Sequence, residues 1–300
     1  MEIEFLKMQG CGDDALLIDC FKQDRPGIEH LPRLADKMLA RRRGIGAESL
    51  LLLTEGERCR ISVRAYSQRG DEVLPSHNAL RSAARYASDS GIAVDTRFSM
   101  ETARGDTAFE IIDSINVRMD MGAPLRTEAA SQIKEKPLES YTRTIEVNGK
   151  PFTYTPVSLQ ASFAIAFVTS YDFPLPSRGR QIIGNPGFPE HTGVCFAQVY
   201  SREELRLKVW SAGRGTGGDD GLPEAGAPQP RKGAEIPASC PAAAAAVVAS
   251  VVNGFTDRDV FVHLVGGDVF IQWDEKNNRL YLTGPTTYVF RGTFYFEEEA

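Results

Sequence analysis

The sequence predicts a mixed α and β protein built as two similar domains, and three observations carry that expectation. The 300 residues amount to about two domains at roughly 150 residues each. A hydrophobic content of 42% with 25% charged residues belongs to a folded globular chain and excludes a mostly disordered one. Above all, one order of elements occurs twice along the chain.

In the first copy, Arg60-Ile61-Ser62-Val63-Arg64-Ala65-Tyr66 alternates polar and apolar residues, the period of a half-buried strand. A loop containing Gly70 leads to Ser76-His77-Asn78. From Ala79 the pattern turns helical, with Leu80, Ala83, Ala84 and Ala87 on one face and Gly91 as the stop. Strand-like segments at 92–99 and 107–112 complete the copy. In the second, Glu204 to Trp210 alternates in the same way, a glycine-rich loop leads to Ser239-Cys240-Pro241, and an Ala/Val-rich helix runs to Gly254. Strands at 258–264 and 268–273 follow, joined through Gly266-Gly267. Ser76 stands 15 residues before its stop glycine and Cys240 stands 14 before its own, so the repeat pairs Ser76 with Cys240 at the two helix starts.

Composition narrows the function classes. Thirty-four basic against 40 acidic residues give a net charge of −6 with the signs interspersed, which is not the footprint of a nucleic-acid binder. Met1 to Lys7 lacks the apolar stretch of a signal peptide. The longest apolar run, Ala242 to Val252, falls well short of the ~20 residues of a membrane span, so a soluble, cytoplasmic protein without a membrane partner is expected. Five cysteines, an odd number, argue for a reducing compartment rather than a disulfide framework. With no Cys-x-x-Cys spacing and four scattered histidines, no metal site is expected. Gly213 to Gly218 matches a dinucleotide-type glycine pattern, but the following Asp219-Asp220-Gly221-Leu222-Pro223 cannot open a helix. The segment 213–237 reads as a long loop, either a lid leading into Cys240 or a tolerated insertion.

A helix N-terminus offers unsatisfied N–H groups and the positive end of a dipole. It therefore favours a carboxylate and, for a cysteine at the cap, the thiolate. Two such ends facing one another across an interdomain cleft would suit chemistry beside a small carboxylate.

Several ordered motifs then point to a family. They are Lys7-Met8-Gln9-Gly10-Cys11-Gly12-Asp13-Asp14, Arg43-Gly44-Ile45-Gly46-Ala47-Glu48, the Leu50–Leu53 run and Asp120-Met121-Gly122-Ala123-Pro124. The series continues through Val194 to Ser201, Val209-Trp210, Gly266-Gly267-Asp268 and Thr283-Gly284-Pro285. In this order and spacing the chain resembles the diaminopimelate epimerase family nearly end to end. The resemblance implies an α+β fold of two pseudo-symmetric domains, each a β-barrel-like sheet around a central helix, with the site in the interdomain cleft. The domains would cover 1–122, completed by a returning strand within 286–300, and 123–285. It also implies a cofactor-independent (PLP-independent) isomerase of amino-acid metabolism, from a lysine-biosynthesis family, with a small carboxylate or amino-acid ligand and a homodimer as the possible assembly.

Carried over residue by residue, the second-domain catalytic cysteine is Cys240, and the first-domain position is Ser76. Asn78 and Arg81 persist after it, and with His77 and Asp13 they are the candidate substrate-binding residues. Asp13 stands where the family has asparagine, Ser67, Ala161 and Gly193 replace further asparagines, and Phe163 replaces a histidine. A Glu-Arg pair falls near Thr216 and Gly217. A lone serine hydroxyl is too weak a base to replace a thiolate, and inversion needs an acid and a base on opposite faces. The expected activity is therefore racemase, epimerase or one-base proton-transfer chemistry on a small amino or hydroxy acid, and not standard diaminopimelate epimerisation. The alternative is a catalytically inactive homologue that binds a ligand or partner. Each candidate also has a plainer reading: Cys240 as a packed thiol, Ser76 as an ordinary cap, and Asp13 as a solvated turn aspartate.

Overall fold

The computed structural model describes residues 1–24, 26–27, 29–124, 142–159, 161–211, 234–236 and 239–296. Most of the 213–237 loop and the positions Thr216 and Gly217 lie outside the described residues. The chain divides into two compact units. One holds Met1–Asp120 and Thr283–Ala300, the other Met121–Gly215 and Asp220–Leu282.

The first unit runs β1 (Glu2–Gly10), β2 (Asp13–Asp19), α1 (Leu31–Leu39), β3 (Ser49–Glu55), β4 (Ile61–Tyr66), β5 (Glu72–Val73), α2 (His77–Asp89), β6 (Arg97–Thr102), β7 (Gly105–Ile111) and β8 (Asn116–Gly122). The β2–β3 and β4–β6 pairs are parallel and the other pairs antiparallel. Parallel pairs require crossovers, and α1 and α2 lie in the two crossover connections. Alternation along β2 and β3 sends Ala15, Leu17, Leu51 and Leu53 to a core with α2. It sends Leu16, Ile18, Leu50 and Leu52 to a second core with α1. A sheet buried on both faces explains why β3 is a run of four leucines rather than an alternating strand.

The second unit repeats this plan with β9 (Arg143–Val147), β10 (Lys150–Ser158), β11 (Ser162–Phe167), α3 (Leu175–Ile183), β12 (Thr192–Ser201), β13 (Glu204–Ser211), β14 (Ala234–Ile236), α4 (Cys240–Val252), β15 (Asp259–Leu264) and β16 (Gly267–Trp273), and β17 (Leu280–Pro285) starts in it and runs on into the residues of the first. Here β11–β12 and β13–β15 are the parallel pairs. The last strand, β18 (Thr287–Tyr295), returns to the first unit and pairs antiparallel with β1, as β9 pairs with β10 in the second. Each unit thus wraps strands around one central helix. β1, β2, β3 and β7 contact α2, while β10, β11, β12, β13, β15 and β16 contact α4. No described helix is long and apolar enough to cross a membrane.

The strand expected at 92–99 starts only at Arg97. Gly91 takes φ +75°, and Ala93 N–H donates to Ala87 O, so residues 91–93 close the helix and bury Ile92 and Ala93 as its plug. The repeat also extends further than the pattern at 60–112 indicates. α1 and α3 are both nine residues long and both begin Leu-Pro.

Candidate functional site

In the first unit the site is built on the turn between β1 and β2 and the first turn of α2. Gly10 pairs with Asp13, leaving a two-residue loop in which Cys11 (φ 51°) and Gly12 (φ 84°) are both left-handed, the type I′ geometry. A Cβ at Gly10 would crowd Pro285 O at 3.2 Å, while Arg81 Nη2 and Asn78 Cβ of α2 would lie at an ordinary 3.5 Å.

Ser76 caps α2: its Oγ accepts from Ala79 N–H at 3.0 Å. The same hydroxyl donates to Asp13 Oδ2 at 2.5 Å. Asp13 is therefore not a solvated turn residue but the carboxylate partner of the serine. Its neighbour Asp14 anchors the turn from behind. Asp14 accepts from Lys7 Nζ at 3.0 Å, from both Arg41 terminal nitrogens at 2.9 and 3.2 Å, and from Glu48 N–H at 3.0 Å. Burial pushes the Asp14 carboxyl up, but the Arg41 and Lys7 bonds and charges outweigh it and hold the group below the usual carboxylate range. Lys7 also donates to Gly46 O at 2.5 Å, tying the turn to the glycine-rich loop before β3.

His77 and Asn78, the first two residues of α2, are buried, and so is Arg81 one turn on. Arg81 folds back toward the helix start and donates through Nη2 to Asn78 Oδ1 at 2.6 Å and to Cys11 Sγ at 3.8 Å. The structure thus brings Asp13, Ser76, Asn78 and Arg81 into one cluster. It adds Cys11 and Asp14, which sequence reasoning missed. The signal was present in Cys11-Gly12, which stands where a type I′ turn ordinarily takes Asn-Gly or Asp-Gly.

In the second unit the helix start is shifted by one residue from the expected pairing. Ser239 is the cap of α4 and accepts from Ala242 N–H at 3.3 Å, while Cys240 is the first helical residue. By their caps, Ser76 matches Ser239 and Cys240 matches His77, each cap lying 15 residues before a left-handed glycine, Gly91 or Gly254. Cys240 is fully buried, and none of the five cysteines is in a disulfide. The α4 start is otherwise apolar, with Pro241 and Ala242 to Ala246 all buried. Ala161 is buried, and Phe163 lies buried over Gly193, where an added Cβ would meet its ring at 3.1 Å. Ser67 belongs to an exposed-edge turn, capping Arg69 N–H at 3.2 Å. Among the described residues no group of three or more His, Cys, Asp or Glu side chains could hold a metal ion.

Set beside known proteins, residues 5–127 match the family model for diaminopimelate epimerase. The diaminopimelate epimerase of Pelotomaculum thermopropionicum is 33% identical over 297 residues, covering 97% of this chain and 99% of that one. The enzyme of the same name from Moorella thermoacetica is 34% identical with the same coverage. Among solved structures, a PhzF-family phenazine biosynthesis protein of Bacillus anthracis superposes with a TM-score of 0.64 at 14% identity, covering 99% and 100% of the two chains. That likeness extends the α+β, two-domain epimerase-like fold to proteins with little sequence in common. Near-complete coverage at about a third identity shows that the chain belongs to the diaminopimelate epimerase family.

Proposed function

We propose that this chain is a cofactor-independent isomerase that moves the α-proton of a small amino or hydroxy acid by one-base chemistry centred on Cys240, and not by standard diaminopimelate epimerisation. The carrying observation is the Ser76 hydroxyl. Its proton goes to Asp13 at 2.5 Å, and its oxygen caps Ala79 N–H at 3.0 Å. A hydroxyl so engaged is not a thiol in waiting, which leaves Cys240 as the thiol of the family pair.

The Cys240 thiolate takes the α-proton, becoming a thiol and leaving the electron pair delocalised onto the substrate carboxylate. A single group returns that proton on the face from which it came. Net change therefore requires return to another carbon, and in its absence the mark of the reaction is exchange with retention. The first-turn N–H groups of α2 suit a carboxylate. Asp13 would repel one and suits an amino group or hydroxyl. In this reading His77 lines the helix start, and Arg81, wholly buried, acts through Asn78 as a positioning residue.

One observation favours the inactive homologue as a second reading: Phe163 packed over Gly193 fills positions where the family carries polar groups. Both readings meet in one experiment. The protein is incubated in deuterated water with a panel of small amino and hydroxy acids and with diaminopimelate, followed by NMR and chiral chromatography. Exchange with retention on a panel member, and none on diaminopimelate, is expected. Inversion of diaminopimelate would replace the proposal with the reaction its relatives are named for. No exchange on any acid would leave the inactive homologue.

A further inference from the structure

We propose that Cys11 is ionised in the folded protein and serves as the counter-ion of the buried Arg81 guanidinium, fixing the start of α2. This stands whether or not the chain turns over a substrate. Arg81 is 0% exposed. Its Nε and Nη1 have no hydrogen-bond partner among the described residues, and Nη2 touches only Asn78 Oδ1 at 2.6 Å and Cys11 Sγ at 3.8 Å. A guanidinium does not lose its proton in a protein, and an uncompensated buried charge is among the costliest things a fold can hold. Asn78 is neutral, and the described Asp13 contact is with Ser76. Among the described residues, the thiol is thus the one group in contact with Arg81 that can become an anion.

Placement agrees with charge. Cys11 is 3% exposed and held at φ 51°, a conformation in which a non-glycine residue needs a reason. Here the reason is that the I′ turn delivers the sulfur to the guanidinium. The positive end of α2 acts in the same direction, and cysteines beside arginine or at helix N-termini are the ones found as thiolates.

The test sets Cys11→Asp against Cys11→Asn. Both residues tolerate the left-handed turn and have the same shape, so they differ in charge alone. At pH 7 an ordinary thiol, with a pKa of about 8.5, is roughly 3% ionised. Subtracting the Cys11→Asn spectrum from that of the native protein should leave the 240 nm absorbance of about one thiolate. Cys11→Asp should keep its Tm near that of the parent, with Cys11→Asn lower by about 3 °C or more. Should Cys11→Asn not fold, Cys11→Ser, which keeps the size and removes the ionisation, serves for the subtraction. A blank difference spectrum, or Cys11→Asn as stable as Cys11→Asp, overturns the proposal.

Discussion

Helices α2 and α4 hold the same place in the same topology, are both 13 residues long and both begin on a serine cap, yet their first turns have opposite chemistry. The α2 start buries Ser76, His77, Asn78, Arg81 and Ser82. The α4 start buries Cys240, Pro241 and five alanines in a row. Buried polar groups are tolerated where they find partners: Ser76 bonds to Asp13, and Arg81 Nη2 bonds to Asn78 and to Cys11 of the β1–β2 turn, while the rest of the guanidinium is left buried. In α4 the polar groups sit at the other end, where Asn253 Nδ2 donates to Thr155 Oγ1 at 3.0 Å and to Ala249 O at 2.7 Å. One unit has a wired polar helix start, and the other packs its start around a single thiol. Duplicated architecture therefore does not oblige duplicated chemistry.

The largest expected effect tests the packed side. Truncating buried Phe163 to alanine removes a whole ring and should cost about 3–5 kcal/mol of stability. Both tryptophans of the chain, Trp210 and Trp273, lie in the second unit, so a urea titration followed by tryptophan fluorescence reads that loss directly. A loss under about 1 kcal/mol would mean that Phe163 plugs a space and does not support the core. Next comes Gly179→Ala. A Cβ there would collide with the Trp210 indole, so overpacking of about 1–3 kcal/mol is expected with a shift in Trp210 emission. The matching position in α1 is Ala35, where Ala35→Gly should cost about 1 kcal/mol of helix propensity and roughly 0.8 kcal/mol more for the buried methyl it removes.

Smaller still is the contrast between the caps. Ser239→Ala should cost about 1 kcal/mol. Ser76→Ala should cost about 2 kcal/mol, because it also strips the hydroxyl from Asp13. Hydrogen exchange at the Ala242 and Ala79 amides reads the two sites separately, and equal costs would show that the Asp13 contact contributes nothing.

The sequence made much of this comparison visible in advance. Alternating strands, helix-spaced alanines and stop glycines suffice for β4, α2, β13 and α4, because each signal is local and its period is physical. The Leu-Pro starts of α1 and α3 are an equally local signal, but nine residues leave too few turns for a helical period to stand out. The one-residue offset at α4 was hidden by the cysteine, which drew the pairing to Cys240 although Ser239 is the better cap. What no local pattern contains is the meeting of Cys11 with Arg81, 70 residues apart, or of Asp13 with Ser76, 63 apart. Those contacts exist only once the hairpin turn is laid against the helix.

The two units should also part company with pH, in opposite directions. In the first, Asp14 is pushed up by burial but held lower overall by Arg41 and Lys7. A folded-state carboxyl below its unfolded value contributes stability that is present above the ordinary carboxylate range and is lost as pH falls through the folded value, below about pH 4. In the second, burial pushes His263 down, but its bonds to Asp268 at 2.9 Å and Glu204 at 2.8 Å outweigh that and raise it. A raised imidazole contributes stability that is full below its unfolded value of about 6.5 and is lost as pH climbs through the higher folded value. His263 and Asp268 sit on β15 and the start of β16, and Glu204 opens β13, so the ring clamps a parallel pair at its end. Fluorescence-monitored urea midpoints should therefore fall between pH 6 and pH 8.5 in the parent and change less in His263→Gln. Circular dichroism between pH 5 and pH 3 should show the parent losing more stability than Asp14→Asn, which begins weaker and has no charge to lose. A His263→Gln protein with the parent's alkaline slope would remove the clamp from the account, and the contrast would then rest on the two helix starts alone.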